Sequence, residues 1–476
     1  MTTGPTPEAR TPAWAWVLAL LAVAAAAAPL IAYWLTNPQD QRLVDLDVYR
    51  TGGSALLLGL PVYDVITPAP QLLPFTYPPV AAMLAVPLGA MWWPVAQWVW
   101  TAALLAALAA TVACAFRPLL DGARTGRLSG SGRMGRRAAS ARLGEGASTA
   151  EPESHGALGR LGKSGVLGRF GVPGWLGSLG RLGVLGRLGG VAAPLVFAVV
   201  TIACTYLMPI RDQFRFGQVD IFLVALCLAD CLARRPWWPR GMLIGLATAV
   251  KLTPGVFLIY LAVTGFSRRD GDPQQRRTFF MAAYTAMLLT LLPFLVIPGD
   301  ARDFWFGALL DSERLGANAA TTNQSLRGML LRLYLPEWLT SLLWLAAVAV
   351  IGWYGFRLAR RAFLRGDTTT AVALTGLMAV LLSPVAWIHH LAWMVIVIAA
   401  IAGSGRDRLR LLVAAGVWLY YVLPIPWWGV ALKALEIPVL SPVAGKIVQN
   451  AFGLGAIALV WLLGSWLPRR SATPAP

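Results

Sequence analysis

Asp45 and Asp47 stand two residues apart in Val44-Asp45-Leu46-Asp47-Val48-Tyr49, directly after a long apolar run. The chain carries 22 Asp and Glu against 40 Lys and Arg, so a carboxylate pair at this place stands out. Carboxylates beside a membrane surface act as general bases, hold metal ions or bind sugar hydroxyls. An ordinary polar loop would explain one aspartate. It does not explain the crowding that follows: Tyr49, Gly52-Gly53, Tyr63-Asp64 and Phe75-Thr76-Tyr77-Pro78-Pro79.

Further groups with chemical potential lie along the chain. Arg211 and Arg215 in Arg211-Asp212-Gln213-Phe214-Arg215 could grip a phosphate, because guanidinium groups form bidentate contacts; arginines reaching to an interface are the plainer reading. Lys251 sits inside an apolar run, where a charge is costly and usually functional; the expected partner is a phosphate or carboxylate. His389 and His390 are two of the three histidines in the chain. Adjacent histidines on a helix point about 100° apart, a poor chelating pair. One of them facing water and bonding a substrate or phosphate is the better functional reading. Asn323 and Gln324, with Asn318, Thr321, Thr322, Ser325 and Arg327 around them, suit sugar hydroxyls. Asn323-Gln324-Ser325 also matches a glycosylation acceptor pattern, one short enough to occur by chance. There is no Walker loop, no dinucleotide fingerprint and no Cys/His spacing for a metal.

The elements that must position these residues follow from composition. Of 476 residues, 57% are hydrophobic and 13% charged, where soluble domains carry about 25% charge; mean hydropathy is +0.62. The chain reads as an all-α polytopic membrane protein. The net charge of +18 fits arginine-rich cytoplasmic loops better than nucleic-acid binding. Cys114, Cys204, Cys227 and Cys231 lie in or beside apolar spans and read as small core residues. Candidate spans are 13–35, 94–116, 191–209, 219–233, 241–252, 254–266, 278–298, 338–356, 368–383, 387–403, 409–424 and 449–467. Several fall short of the about 20 residues of a full crossing, which implies broken or short helices among about twelve spans. Lys251-Leu252-Thr253-Pro254 interrupts the pair 241–266. Arginine clusters place both termini inside and put 36–93, 210–218, 299–337, 384–386 and 425–448 outside. Residues 77–92 are apolar, short and punctuated by proline, and read as a dipping helix on the outer face.

The expected layout is a disordered tail (1–12), first helices with an outer catalytic loop (13–116, loop 36–93), a basic Gly/Arg-rich cytoplasmic loop (117–190), the remaining helices (191–467) and a C-terminal tail (468–476). The loop 117–190 repeats Leu-Gly-Arg at irregular spacing and offers no core. It suits contact with anionic membrane lipids.

Taken in order, Asp45-Leu-x-Val-Tyr49, Gly59-x-Pro61-x-Tyr63, Phe75-Thr-Tyr-Pro-Pro79, Gly217-Gln-Val-Asp220, Lys251-Leu-Thr-Pro254, Asn323-Gln-Ser325 and Ser383-Pro-x-x-Trp387-x-His-His390 resemble the polyprenol-phosphate-mannose-dependent α-(1→2) mannosyltransferases, glycosyltransferase family 87, which have the GT-C membrane fold. The family's Asn-like position is Asp220 here, and the insert 117–190 is unusual. The resemblance implies a polyprenyl-phosphate-mannose donor and a glycolipid or lipoglycan acceptor outside the cell membrane. Asp45 would be the base of an inverting transfer. Asp47, Tyr49 and Tyr77 are second choices for catalysis or sugar binding. Arg211, Arg215, Lys251, His389 and His390 would bind the donor phosphate, and Gln218, Asp220, Asn323 and Gln324 the sugar or acceptor. No cofactor, divalent metal or nucleic acid is expected. The competing reading is a secondary transporter or a lipid or glycan flippase, for which the chain lacks the expected paired repeat.

Overall fold

The computed structural model describes residues 11–38, 42–124, 191–311, 314 and 316–472. The described residues form helices, with two isolated bridges, Ile66 to Pro74 and Asn323 to Trp387. In chain order the helices are α1 (Ala13–Thr36), α2 (Val44–Leu57), α3 (Pro79–Ala90), α4 (Trp93–Ala115), α5 (Arg117–Arg124), α6 (Ala192–Thr205), α7 (Met208–Phe216), α8 (Asp220–Leu232), α9 (Met242–Val250), α10 (Val256–Gly265), α11 (Pro273–Val296) and α12 (Pro298–Asp303). There follow α13 (Leu326–Leu331), α14 (Glu337–Leu364), α15 (Thr368–Leu381), α16 (Met394–Ala402), α17 (Arg408–Val422), α18 (Ile425–Lys433), α19 (Leu440–Gln449), α20 (Ala451–Trp461) and α21 (Leu467–Ala472).

Among the described residues, five helices are long and apolar enough to cross a membrane, and up to seven spans result if each bent pair, α6 with α7 and α17 with α18, counts as one. The protein is thus a polytopic helical membrane protein. A helix overlaps each expected span, but those within 219–233, 241–252, 254–266, 368–383 and 387–403 have 13, 9, 10, 14 and 9 residues, short of the about 20 of a full crossing, so the twelve crossings expected are not reached by length. α15 and α16 are buried along nearly their whole length and form the centre of the larger core.

The break expected at Lys251-Pro254 is present. α9 ends at Val250, Lys251 is extended, and a single turn at Thr253–Gly255 leads into α10. Pro254 lacks the N–H that would bond Val250, so the helical ladder stops there. Both halves pack on α11; a Cβ on Gly245 would lie 2.5 Å from the Ala282 carbonyl oxygen, so the two backbones touch.

α2 and α3 form a second, smaller core with Leu46, Tyr49, Tyr63, Phe75, Tyr77 and Phe304. Their backbones meet at Gly53 against Ala85 and at Gly89 against Ser54. α3 is the short apolar helix expected over 77–92. Two expectations need correction. Arg117–Arg124, assigned to the loop 117–190, is helical, because Asp121 pairs with Arg117 and Arg124 one turn away on either side. The tail expected from 468 begins as the helix α21. The rest of the loop 117–190, residues 1–10 and residues 473–476 lie outside the described residues.

Candidate active site

The site is assembled around the end of α7. Gly217 caps that helix with φ +74°, a left-handed conformation that glycine adopts without strain. A Cβ there would sit 2.8 Å from Leu46 Cβ, so glycine also lets the start of α2 rest directly on the turn. Leu43 N donates to Arg215 O at 2.6 Å, and Trp100 Nε1 donates to Gly217 O at 2.8 Å. Leu46, fully buried, anchors the first turn of α2 and leaves Asp45 facing the cavity.

One turn on, Tyr49 lies on the same face as Asp45. Its hydroxyl is 3.0 Å from that of Tyr77, and both tyrosines donate to Gln218 Oε1, at 3.4 and 3.3 Å. That fixes the amide with its NH2 free to bond Asp45. Burial pushes the Asp45 carboxyl up to about 7; the Gln218 hydrogen bond and the Lys251 charge pull it down, and Asp220 pushes it up.

The second centre is built around Lys251. Lys251 Nζ lies 2.7 Å from Asp220 Oδ1 and 2.9 Å from His390 Nε2, with the Tyr77 ring centroid at 5.5 Å. Lys251 comes from the break before α10, Asp220 from the first turn of α8, and His390 from the 3-10 turn Ile388–Trp393. His390 Nδ1 accepts the Trp387 N–H at 3.1 Å, which leaves the ring proton of the neutral imidazole on Nε2. Lys251 Nζ and His390 Nε2 then sit side by side in the cavity wall, 2.9 Å apart, where both could donate to one anionic oxygen placed in the cavity.

Ligand atoms of Asp220, His389 and His390 all lie within 4.8 Å of one another. An ammonium already occupies Asp220 Oδ1, and a protonated His390 Nε2 has no lone pair to ligate a metal, while Asp220 Oδ2 and His389 Nε2 are buried without a hydrogen-bond partner among the described residues. Asp45 and Asp47 do not form a paired site either. Asp47 is two residues further round the helix, buried, and outside the cavity wall, because i and i+2 point to different sides.

Both centres line one cavity of about 790 Å³, with Tyr77, Gln218, His389 and Trp387 in the wall. Of the expected site residues, Asp45, Tyr77, Gln218, Lys251, His389 and His390 line it, while Tyr49 braces Gln218 and Asp220 braces Lys251 from behind. Arg211 and Arg215 do not reach it. Arg211 donates to Val422 O at 3.1 Å, and Arg215 lies over the Phe216 ring at 5.0 Å. Asn323 and Gln324 are not sugar ligands facing the cavity: both are fully buried. Asn323 Oδ1 accepts from Ser325 N and Ala386 N, and Gln324 bonds Thr321 O, Gln449 O and Gly453 N, so the two amides close the loop 316–325 onto its neighbours. The same burial makes Asn323 inaccessible as a glycosylation acceptor.

Sequence reasoning missed three residues. Asp212 and Arg314 line the cavity. Arg332 is 2% exposed and donates to Asn450 Oδ1, Ala320 O and Asn323 O at 2.6–2.7 Å. An arginine in an apolar setting was the available signal for Arg332; nothing in their sequence setting marked Asp212 or Arg314.

These features define a polytopic helical membrane protein in which a carboxylate and a lysine–histidine centre share one cavity. Residues 75–143 and 170–384 match the family model described as Glycosyltransferase family 87. The chain is 32% identical over 398 residues to the polyprenol-phosphate-mannose-dependent alpha-(1-2)-phosphatidylinositol mannoside mannosyltransferase of Mycolicibacterium smegmatis, covering 80% of this chain and 76% of that one. It is 32% identical over 397 residues to the protein of the same description from Mycobacterium tuberculosis, with the same coverage. A Mycobacterium tuberculosis polyprenol-phosphate-mannose-dependent alpha-(1-2)-phosphatidylinositol pentamannoside mannosyltransferase is 26% identical over 437 residues, 88% of this chain and 80% of that one. The chain belongs to glycosyltransferase family 87.

Proposed function

We propose that the protein transfers a mannosyl residue from polyprenyl-phosphate mannose to a hydroxyl of a phosphatidylinositol mannoside or related lipoglycan. The observation that carries this reading is the single cavity shared by Asp45 and the Lys251–His390 centre. Asp45 takes the proton of the acceptor hydroxyl as its oxygen bonds the anomeric carbon. The bond from that carbon to the phosphate oxygen breaks on the opposite face, and the electron pair leaves with polyprenyl phosphate. Lys251 Nζ and His390 Nε2 hold the phosphate as its charge rises, preorganised donors in a partly dry site. His389 is their neighbour on the same wall. Lys251 and the neutral His390 supply the hydrogen-bond donors the leaving phosphate needs, and no metal or cofactor is invoked.

A cavity of about 790 Å³ has room for sugar rings and a phosphate but not for a polyprenol, which extends into lipid. The descriptions of the relatives support both substrates. The arginine distribution supports a multi-pass arrangement of about twelve spans of GT-C type, with both termini cytoplasmic and the cavity on the outer face. The layout by segments, with the outer loop 36–93 carrying the base, belongs to the same reading.

The test is transfer in nanodiscs, from polyprenyl-phosphate mannose to phosphatidylinositol mannoside, followed by mass spectrometry of the lipid product. A product one hexose heavier, lost in Asp45→Asn, is expected. Absence of transfer by the wild-type protein, together with ion-driven uptake into vesicles, overturns the proposal in favour of a transporter.

A further inference from the structure

Asp212 lines the same cavity as Asp45 yet takes no part in the chemistry above. It forms no hydrogen bond or salt bridge among the described residues; the Arg211 and Arg215 charges lie near enough to favour its charged form, but Arg211 donates to Val422 O and Arg215 lies over the Phe216 ring. A half-buried carboxylate in a cavity wall with no hydrogen-bond donor is an unfilled acceptor. It is desolvated at a cost that a ligand's hydroxyls would offset.

Its setting is specific. Phe216 follows one helical turn later and also lines the cavity, so carboxylate and ring share one face of α7. The rotation of α7 is fixed from the far side. Gln213 Nε2 donates to His389 O at 2.7 Å, its Oε1 accepts from Ile221 N at 3.3 Å, and Ile210 and Phe214 are buried. The Phe216 ring meets His389 edge-on with centroids 6.3 Å apart, so this face adjoins the Lys251–His390 centre.

A pyranose has two kinds of surface, an edge of hydroxyl donors and a face of C–H groups. The first matches a carboxylate and the second an aromatic ring. We propose that Asp212 and Phe216 form a pyranose-binding subsite, with Asp212 accepting hydrogen bonds from ring hydroxyls and Phe216 covering the C–H face. The proposal rests on the glycosyl-transfer reading. The ring is that of the donor mannose or of the acceptor's terminal mannose; the recognition chemistry is shared, and the experiment separates the two.

Full-length Asp212→Asn and Phe216→Leu, in nanodiscs, are assayed with each substrate varied in turn, using native substrates and single-deoxy mannose analogues. Asp212→Asn is expected to raise the KM of one substrate by about 10- to 100-fold, the value of a hydrogen bond to a charged group, with kcat changing less than about threefold. The substrate affected names the sugar bound. Phe216→Leu is expected to raise the same KM. One deoxy analogue should show the wild-type loss but no further loss in Asp212→Asn, a coupling that a purely structural role does not produce. The subsite is overturned if both KM values stay within about twofold in both variants, if the losses simply add, or if kcat collapses with KM unchanged, which would place Asp212 in proton transfer. Failure of the glycosyl-transfer reading is distinct, since the wild-type protein would then show no transfer. Should Asp212→Asn not fold, Phe216→Leu carries the test alone.

Discussion

The ionisation of Asp45 is readable as a rate. Burial lifts its carboxyl to about 7, against the combined pull of Gln218 and Lys251, while Asp220 pushes the same way as burial. A general base works only when ionised. With a value of about 7, about 9% of the free enzyme carries the base at pH 6 and about 91% at pH 8. Thus kcat/KM for mannosyl transfer is expected to rise about tenfold from pH 6 to pH 8, with a log–log slope of about one on the acid side. Gln218→Leu removes a hydrogen bond to the charged form and the midpoint is expected to move up by about one unit. Asp45→Asn is expected to lower kcat by about 100- to 10,000-fold. The measurement is initial-rate transfer in nanodiscs at constant ionic strength, scored by chromatography of radiolabelled lipid. A flat profile over this window, a midpoint near the ordinary carboxylate value, or an Asp45→Asn variant within tenfold of wild type would refute Asp45 as the base.

Three further outcomes are expected. Lys251→Met is expected to lower kcat by about 100- to 1,000-fold, the size of losing one charge-stabilising donor, and to leave Asp220 unpaired; adding Asp220→Asn should restore thermal stability but not transfer. Gly217→Ala places a Cβ against Leu46 at a φ of +74°, and is expected to cost about 1–3 kcal/mol; Tm and kcat should fall together because α2 carries the base. Arg332→Met leaves the Asn450, Ala320 and Asn323 acceptors without their donor, and is expected to cost about 1–3 kcal/mol for each acceptor left unsatisfied; Arg332→Lys, lacking the planar fork, should recover little of it in a denaturation assay.

What could be read in the chain was where polarity and apolar context conflict. Asp45, Lys251 and His390 each interrupt or border a hydrophobic run, and all three line the cavity. The break at Pro254 was legible because a missing N–H acts locally. What could not be read was which way a side chain turns on a helix. Arg211 and Asp212 are adjacent in sequence; a rotation of about 100° sends one away from the cavity and the other into it. Asn323 and Gln324 have the right groups for a sugar, but an amide serves a buried loop backbone equally well, and only long-range partners such as Gly453 and Ala386 decide between the two. Arg314 is fixed by a bond to Tyr63 O, 251 residues away in sequence, a pairing that no local pattern encodes.

The short helix α7 touches both halves of the chemistry. Through Arg215 O it holds the start of α2, and through Gln213 it holds the His389 carbonyl. A displacement of α7 therefore carries Asp45 and the turn bearing His389 and His390 in the same direction. The offset between Asp45 and that turn is thereby shielded from such motion, as a common-mode error is cancelled in a differential measurement.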